Sequence, residues 1–432
     1  MAKRHQQQQT VEELPLVAID MGSNCIRAMA AKRIGPNMLH ILGVEELNKF
    51  TCVERGVITQ TSNAGYSIGV VLRLLANRLN VADLPTAFVL TGGRSMQVVS
   101  VSSKRDQVHK REISKRTLDE MEDECKRKIE QRYPDVAVLG IIPAYFRLDG
   151  VEQDERPLPE QRAEMIEGHY VAFVGRKEME TYLQKSFDQA GKSIERSFVR
   201  PEALLSAFAA EDGYDVLQEG CAVLDFGAQT TTLTIFKGSE YLFNKVVPQG
   251  GYHITHLLEQ QGIALATAEK LKCQFGHASA AQVKRNLSLK IPAIAEVGGV
   301  LKVSSEELAY TISLKLEEIL KPLFEILSTY ESRIKTLYVT GGASMLQGTI
   351  EYLQQKTSMH VMYGAHDQLL DAETEQKYLE PTYSALVGAL IMGADYRDEH
   401  KDQPVKAPSL IKRLQKQIET QTELIFTEQH AN

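Results

Sequence analysis

The sequence predicts an α/β protein of two lobes, the first interrupted by a small strand–helix–strand–strand subdomain. Apolar strands run into glycine turns at residues 17–24 (VAIDMGSN), 223–231 (VLDFGAQTT) and 337–344 (LYVTGGAS). The first two end on an Asp followed by a glycine turn, and one lies near the start of each half of the chain. A strand that ends in a Gly-rich turn exposes successive backbone N–H groups, a nest for phosphate oxygens. Asp20 and Asp225 would then face each other across a cleft. Mg²⁺ dehydrates reluctantly and is held through waters by one or two carboxylates plus substrate phosphates, so the pair suits a metal–nucleotide complex. One Asp-x-Gly is an ordinary turn signal; three hairpins in this order point to a nucleotide clamped between lobes.

Bulk properties narrow the class. The 432 residues allow two to four domains, and 43% hydrophobic with 24% charged residues is ordinary for a globular protein. A net charge of −7 argues against a nucleic-acid binder. Cys25, Cys52, Cys125, Cys221 and Cys273 are odd in number and lack any CxxC, which reads as a reduced, cytoplasmic protein without a metal cluster. The basic start MAKRHQQQQT runs into Gln rather than an apolar core, so it is not a signal peptide. The longest apolar run, YSALVGALIMGA, is too short to span a bilayer and reads as a buried helix.

Taken in order, residues 1–13 are a polar extension and 14–84 open the first lobe: strand, hairpin, strands IRAMAA and MLHILGVEEL, then the helix NAGYSIGVVLRLLANRLN. The inserted subdomain is expected over 85–175, beginning with AFVLTGGRSMQVVSVSS. The six Lys and Arg of residues 104–116 read as a solvated loop. A helix follows, with Thr117 and Glu120 as a capping box and Leu118, Met121, Cys125 and Ile129 at helical spacing. Strands VAVLGIIPAYFRLDG and GHYVAFVG complete the insert, and the first lobe resumes over 176–217 with the helix KEMETYLQKSFDQAG. The second lobe is expected over 218–380, with an outer subdomain at about 250–335 that includes a long helix, 306–330, kinked near Pro322. A helix over 381–396 returns to the first lobe, and 397–408 read as a charged linker.

Residues 409–428 form the second informative element. With Ser409 as N-cap, at ~100° per residue Leu410, Ile411, Leu414, Ile418, Leu424 and Ile425 share one arc of about 140°. Lys412, Arg413 and Lys416 lie opposite with Glu419 and Glu423. Spacing alone fits a membrane-surface helix or one that docks on protein. The charged tether favours the membrane surface, reached through apolar insertion more than lipid charge.

With these motifs in place, the chain resembles the actin and heat-shock-chaperone ATPase superfamily and, within it, the FtsA family of bacterial division proteins. ERGVITQ at 54–60, VLGIIPAYFRLDG in the insert, TAEKLKCQFG at 267–276, the GG turn and SALVGALIMGA carry the likeness. The resemblance implies an actin-like two-lobed ATPase fold of duplicated ribonuclease-H-like domains, with the insert replacing actin's small first-lobe subdomain. It implies ATP and Mg²⁺ as cofactors. Nucleotide would be bound by Asp20, Gly22, Ser23, Asn24, Asp225, Gly227, Ala228, Gln229, Thr230, Glu269, Lys272, Gly341, Gly342 and Ala343. Asp20 and Asp225 would be the catalytic candidates and would hold Mg²⁺ through water. Glu269 can accept from sugar hydroxyls and the Lys272 stem can cover a base, although E-x-x-K is also a common surface pair on helices.

Further implications are self-association into filaments and attachment to the cytoplasmic face of the inner membrane at the division site. The FtsZ C-terminal peptide would dock on the outer helix near Lys315 and Glu318, charges that also read as ordinary solvated ones, and other divisome proteins could meet the insert. Four positions depart from the pattern: Cys25 stands where related sequences often carry a Lys or polar residue, Gln229 replaces the last Gly of Asp-x-Gly-Gly-Gly-Thr, Thr232 stands where many relatives carry Asp, and VRPEALLSAF places Arg200 before the Pro of an E-P-x-A segment. They leave phosphate binding intact and put fast hydrolysis in doubt. Two other readings are open: a pilus-assembly platform protein with the same core, and a phosphohydrolase or sugar kinase of the superfamily. The first does not need an amphipathic tail, and for the second no sugar or polyphosphate motif is present.

Overall fold

The computed structural model describes residues 14–48, 52–153, 161–209, 219–238, 240–294 and 298–400. In the first lobe, β1 (Leu16–Met21) pairs antiparallel with β2 (Cys25–Gly35), which pairs with β3 (Met38–Asn48). A short β4 (Val53–Glu54) and β5 (Val57–Ile58) precede helix α1 (Thr61–Arg78). β6 (Thr86–Thr91) runs parallel to β1, and β11 (Ser193–Val199) runs parallel to β6, giving the order β11-β6-β1-β2-β3. Every residue of β1 is buried, as expected for a central strand with both faces covered.

Between β6 and β11 the chain builds β7 (Gln97–Glu112), α2 (Lys115–Arg132), β8 (Val136–Leu148), β9 (Val151–Gln153), β10 (Arg162–Arg176) and α3 (Lys177–Ala190). The inserted sheet has the order β7-β10-β8-β9. One face is closed by Leu118, Met121, Cys125 and Ile129 of α2, which pack with Ile141, Phe146 and Ile166.

Four expectations change here. The insert was expected from residue 85, but β6 lies between β1 and β11 in the main sheet, so the inserted sheet begins at Gln97. The basic run 104–116 is not a loop: its first nine residues extend β7, which among the described residues pairs only with β10, and an edge strand with one wet face is polar by composition. The cap of α2 is Ser114, whose Oγ accepts from the Thr117 N–H at 3.1 Å, while Glu120 instead pairs with Arg116 at 2.8 Å. The returning helix starts at Ser384 and continues to Glu399, so residues 397–399 are helix, not linker. Arg397 explains the extension: it binds Glu195 at 2.6 Å and donates to the carbonyls of Leu14 and Pro15.

Helix α4 (Arg200–Ala209) leads from β11 toward the second lobe. There β12 (Cys221–Phe226), β13 (Thr231–Lys237) and β14 (Glu240–Val247) form a meander followed by α5 (Gly251–Glu259) and α6 (Leu265–Phe275). A hairpin of β15 (Ser288–Pro292) and β16 (Val300–Ser304) precedes α7 (Ser305–Tyr330). Ser304 and Glu307 form its capping box, and Pro322 lies within the helix. β17 (Thr336–Thr340), α8 (Thr349–Lys356), β18 (His360–Tyr363) and α9 (Ser384–Glu399) close the lobe, with sheet order β14-β13-β12-β17-β18.

The two five-stranded sheets have equivalent topology: a three-stranded meander, then two parallel strands added beside its first strand. One face of the second sheet packs on Ile254, Leu258, Ile312, Leu316 and Leu320. The other shares a core with the first lobe, where Val223 and Tyr338 meet Phe88, Phe208, Leu386 and Leu390. At the centre of that core α4 and α9 approach backbone to backbone. A Cβ on Gly388 would lie 1.7 Å from the Ala203 carbonyl oxygen, so only glycine fits.

Candidate functional site

The equivalent sheets aim equivalent strand ends at one cavity of about 540 Å³ between the lobes, a size within the range of small-molecule sites. From the first lobe come Asp20 at the end of β1 and the turn Gly22, Ser23, Asn24. Ser23 Oγ accepts from the Gly56 N–H at 2.9 Å, tying that turn to the β4–β5 loop. From the second come Asp225 at the end of β12 and the turn Gly227, Ala228, Gln229, Thr230. The Gly227 and Ala228 carbonyls accept from Gly251 and Tyr252 at the start of α5, at 3.0 and 2.7 Å. This pins the second hairpin to a helix N-terminus, where unpaired N–H groups gather.

The third hairpin completes the wall with Gly342 and Ala343. Gly341 has φ +88°, and a Cβ there would lie 2.6 Å from Asp225 Oδ1 and from the Phe226 carbonyl. Glycine is required on both counts. Asp225 Oδ1 is buried and has no hydrogen-bond partner.

On the far wall Lys272 Nζ donates to Glu269 (2.7 Å), the Thr255 hydroxyl (2.9 Å) and the Gly251 carbonyl (3.1 Å). Burial pushes the Glu269 carboxyl up, but Lys272 and the hydrogen bonds from Lys272, Thr255 and Cys273 outweigh it and hold the pKa below the ordinary value. Glu269 is therefore an anion at neutral pH, able to accept hydroxyl protons. The cleft is also latched: Gln229 Oε1 accepts from the Arg55 N–H at 2.8 Å, a hydrogen bond between the lobes. A glycine at Gln229's position would lack it.

The centre of the cavity differs from expectation. Asp20 and Asp225 do not face open space suited to hydrated Mg²⁺. Arg200, the first residue of α4, reaches between them, with Nη1 2.8 Å from Asp20 Oδ1 and Nε 2.5 Å from Asp225 Oδ2. Burial works against the charged guanidinium, but the two carboxylates outweigh it and raise the Arg200 pKa. The cation is permanent, and the two carboxylates share it. The donor set present does not fit a water-shelled Mg²⁺ between the two Asp, because Mg²⁺ keeps several waters and near-octahedral geometry.

The structure thus brings Asp20, Gly22, Ser23, Asn24, Asp225, Gly227, Ala228, Gln229, Thr230, Glu269, Lys272, Gly342 and Ala343 to one cavity, with Gly341 directly behind Asp225. Lys315 and Glu318 are elsewhere, paired with each other at 2.7 Å on α7, where Glu318 also accepts from Gln249. Leu410, Ile411, Leu414, Ile418, Leu424 and Ile425 lie outside the described residues. Sequence reasoning missed Gly92, Gly93 and Cys273, which also line the cleft. The signal for the glycines was present: Thr91-Gly92-Gly93 after β6 repeats Thr340-Gly341-Gly342 after β17.

This duplicated, two-lobed architecture around a central cleft is the actin-like fold. Similar solved structures include a PilM–PilN type IV pilus biogenesis complex, with a TM-score of 0.63 at 15% identity, covering 88% of this chain and 98% of that one. MreB5 of Spiroplasma citri bound to ADP gives 0.52 at 12% identity, covering 91% and 100%. Within that class, proteins similar to this chain in sequence include FtsA proteins. The family model described as cell division protein FtsA matches residues 222–388, which run from β12 into the first turns of α9. The FtsA of Enterococcus faecalis is 24% identical over 353 residues, 78% of this chain and 76% of that protein. The FtsA of Streptococcus pneumoniae is 23% identical over 357 residues, 79% and 74%. Among the described residues no helix is long and apolar enough to cross a membrane.

Proposed function

We propose that this chain is an actin-like cell division protein that binds ATP between its lobes, polymerises, and tethers FtsZ filaments to the cytoplasmic face of the inner membrane at the division site. The observation that carries the reading is the convergence of both Asp-ended hairpins and the Gly341-Gly342 turn on one interlobe cavity, in a chain whose relatives are FtsA proteins. The hairpin backbones would cradle phosphates, with Glu269 and the Lys272 stem at the nucleoside. The nucleotide acts as a clasp more than a substrate, because Arg200 ion-pairs with both carboxylates best placed for catalysis and turnover is correspondingly slow. The FtsZ C-terminal peptide docks on α7 near Lys315 and Glu318, and the insert offers a surface to other divisome proteins.

The amphipathic segment 409–428 supplies the membrane contact. One such helix anchors weakly and reversibly, so filaments provide avidity. Liposome co-sedimentation with ATP and FtsZ tests this, comparing the full chain with one ending at Pro408. The full chain should pellet and carry FtsZ down, and the shortened one should stay in the supernatant. Equal pelleting, or FtsZ that never follows the full chain, overturns the tether. Steady ATP turnover above about 1 per second, in the ordinary enzyme range, would favour an enzyme instead.

A further inference from the structure

Resting on the nucleotide reading of the cleft, we propose that Arg200 is a built-in counter-ion that replaces the divalent metal, so that nucleotide binding here is independent of Mg²⁺. The guanidinium bridges the two strand-end carboxylates, one from each lobe, at 2.8 and 2.5 Å. Its side chain is 23% exposed, and each Asp side chain 9%. A divalent ion in that gap would have to displace a cation already fixed by two short ion pairs.

The backbone that presents Arg200 is rigid. Arg200 directly follows β11 in the central sheet, Pro201 stands at the second helical position, and α4 is locked against α9 where Gly388 meets Ala203. The side chain therefore starts from a fixed point beside Gly92, whose Cβ, were there one, would lie 3.6 Å from that of Arg200.

The chemistry is that of a phosphate clamp. A guanidinium has five N–H donors; the carboxylates take the Nε donor and one on Nη1, leaving three for ligand oxygens. Arginine's planar fork matches phosphate oxygens in pairs. Two carboxylates and one guanidinium leave the triad at net −1, where the bare pair would be −2. The reduced repulsion lets a polyphosphate approach without a metal, and the hairpin N–H groups complete the cradle. A permanently charged arginine cannot be chelated away, so the clasp does not respond to free Mg²⁺.

The test uses the full chain and Arg200→Gln, with folding checked by circular dichroism. Mn²⁺ binding to nucleotide-free protein is read by electron paramagnetic resonance. A fluorescent ATP analogue is titrated by anisotropy in MgCl₂ and in EDTA. The wild type should bind no Mn²⁺ at the cleft and hold the analogue with affinities equal within about twofold in the two buffers. Arg200→Gln should gain one Mn²⁺ site, lost again in Asp20→Asn/Arg200→Gln, and bind the analogue at least about tenfold more weakly in EDTA than in MgCl₂. Wild-type binding that disappears in EDTA, or a wild-type Mn²⁺ site removed by Asp20→Asn, overturns the proposal and leaves the nucleotide reading standing. Absence of analogue binding in both buffers overturns the two together. Should Arg200→Gln fail to fold, the wild-type comparison decides alone.

Discussion

The two lobes share a strand order and a residue type at the cleft, yet they differ where the fifth strand ends. In the first, β11 passes directly into Arg200 and α4. In the second, β18 passes into Gly364, and α9 begins only after a run of short turns. Topology therefore supplies two aspartates, and one residue after one strand supplies the single cation that serves both. Duplication of a fold does not duplicate its electrostatics. The asymmetry turns a pair of would-be metal ligands into an ion-paired seam between lobes.

Removing that cation should have the largest effect. Arg200→Met leaves two facing buried carboxylates unpaired and should cost about 3–5 kcal/mol in urea unfolding, part of it recovered by adding Asp20→Asn. A loss below about 1 kcal/mol, typical of exposed pairs, would mean the seam is solvated. Next come the equivalent glycines that follow β6 and β17. Gly341→Ala meets φ +88° and the Asp225 carboxylate, and should cost about 2–3 kcal/mol. Gly92→Ala finds its nearest neighbour at 3.6 Å and should stay within about 0.5 kcal/mol. Equal losses in thermal melts would erase the difference.

A smaller effect tests the helix that carries Arg200. Burial pushes the Glu202 carboxyl up to about 7, opposed by Arg196 and reinforced by Glu122 of the insert. Its folded pKa lies above the unfolded one, so the native state binds more protons between the two, and stability falls as pH rises from about 4.5 to 7 and then levels. Glu202→Gln should gain on the order of 1–2 kcal/mol over wild type at pH 8 and nothing at pH 4. A constant difference across that window would remove Glu202 as the titrating group. Smaller again is the loss from Gln229→Ala, which deletes the interlobe bond to the Arg55 N–H and should cost about 1 kcal/mol. Faster hydrogen exchange at the Arg55 amide is its signature.

What the sequence made legible was local. Strand-to-turn transitions placed Asp20, Asp225 and Gly341, because a buried strand ending in glycine is written in consecutive residues. Sheet membership was not, since the apolar run Ala87 to Leu90 of β6 suits either sheet and only its distant partners β1 and β11 assign it to the main one. β7 resembled a loop because, among the described residues, it is an edge strand and its outer half is largely exposed, so nothing demands an apolar pattern there. Ser114 took the cap one turn before Thr117, where a competing hydroxyl hid it. Arg200 stood out as a departure, but its contacts join residues far apart in the chain, and no local pattern foretells that a side chain bridges two lobes.

One nucleotide held by both lobes at once should protect both from solvent, which hydrogen exchange by mass spectrometry reads with and without ATP. ATP-dependent protection is expected at residues 22–25, 227–230 and 341–343 together. Protection of one lobe's hairpin alone, or none at any of the three with ATP in excess, would contradict it.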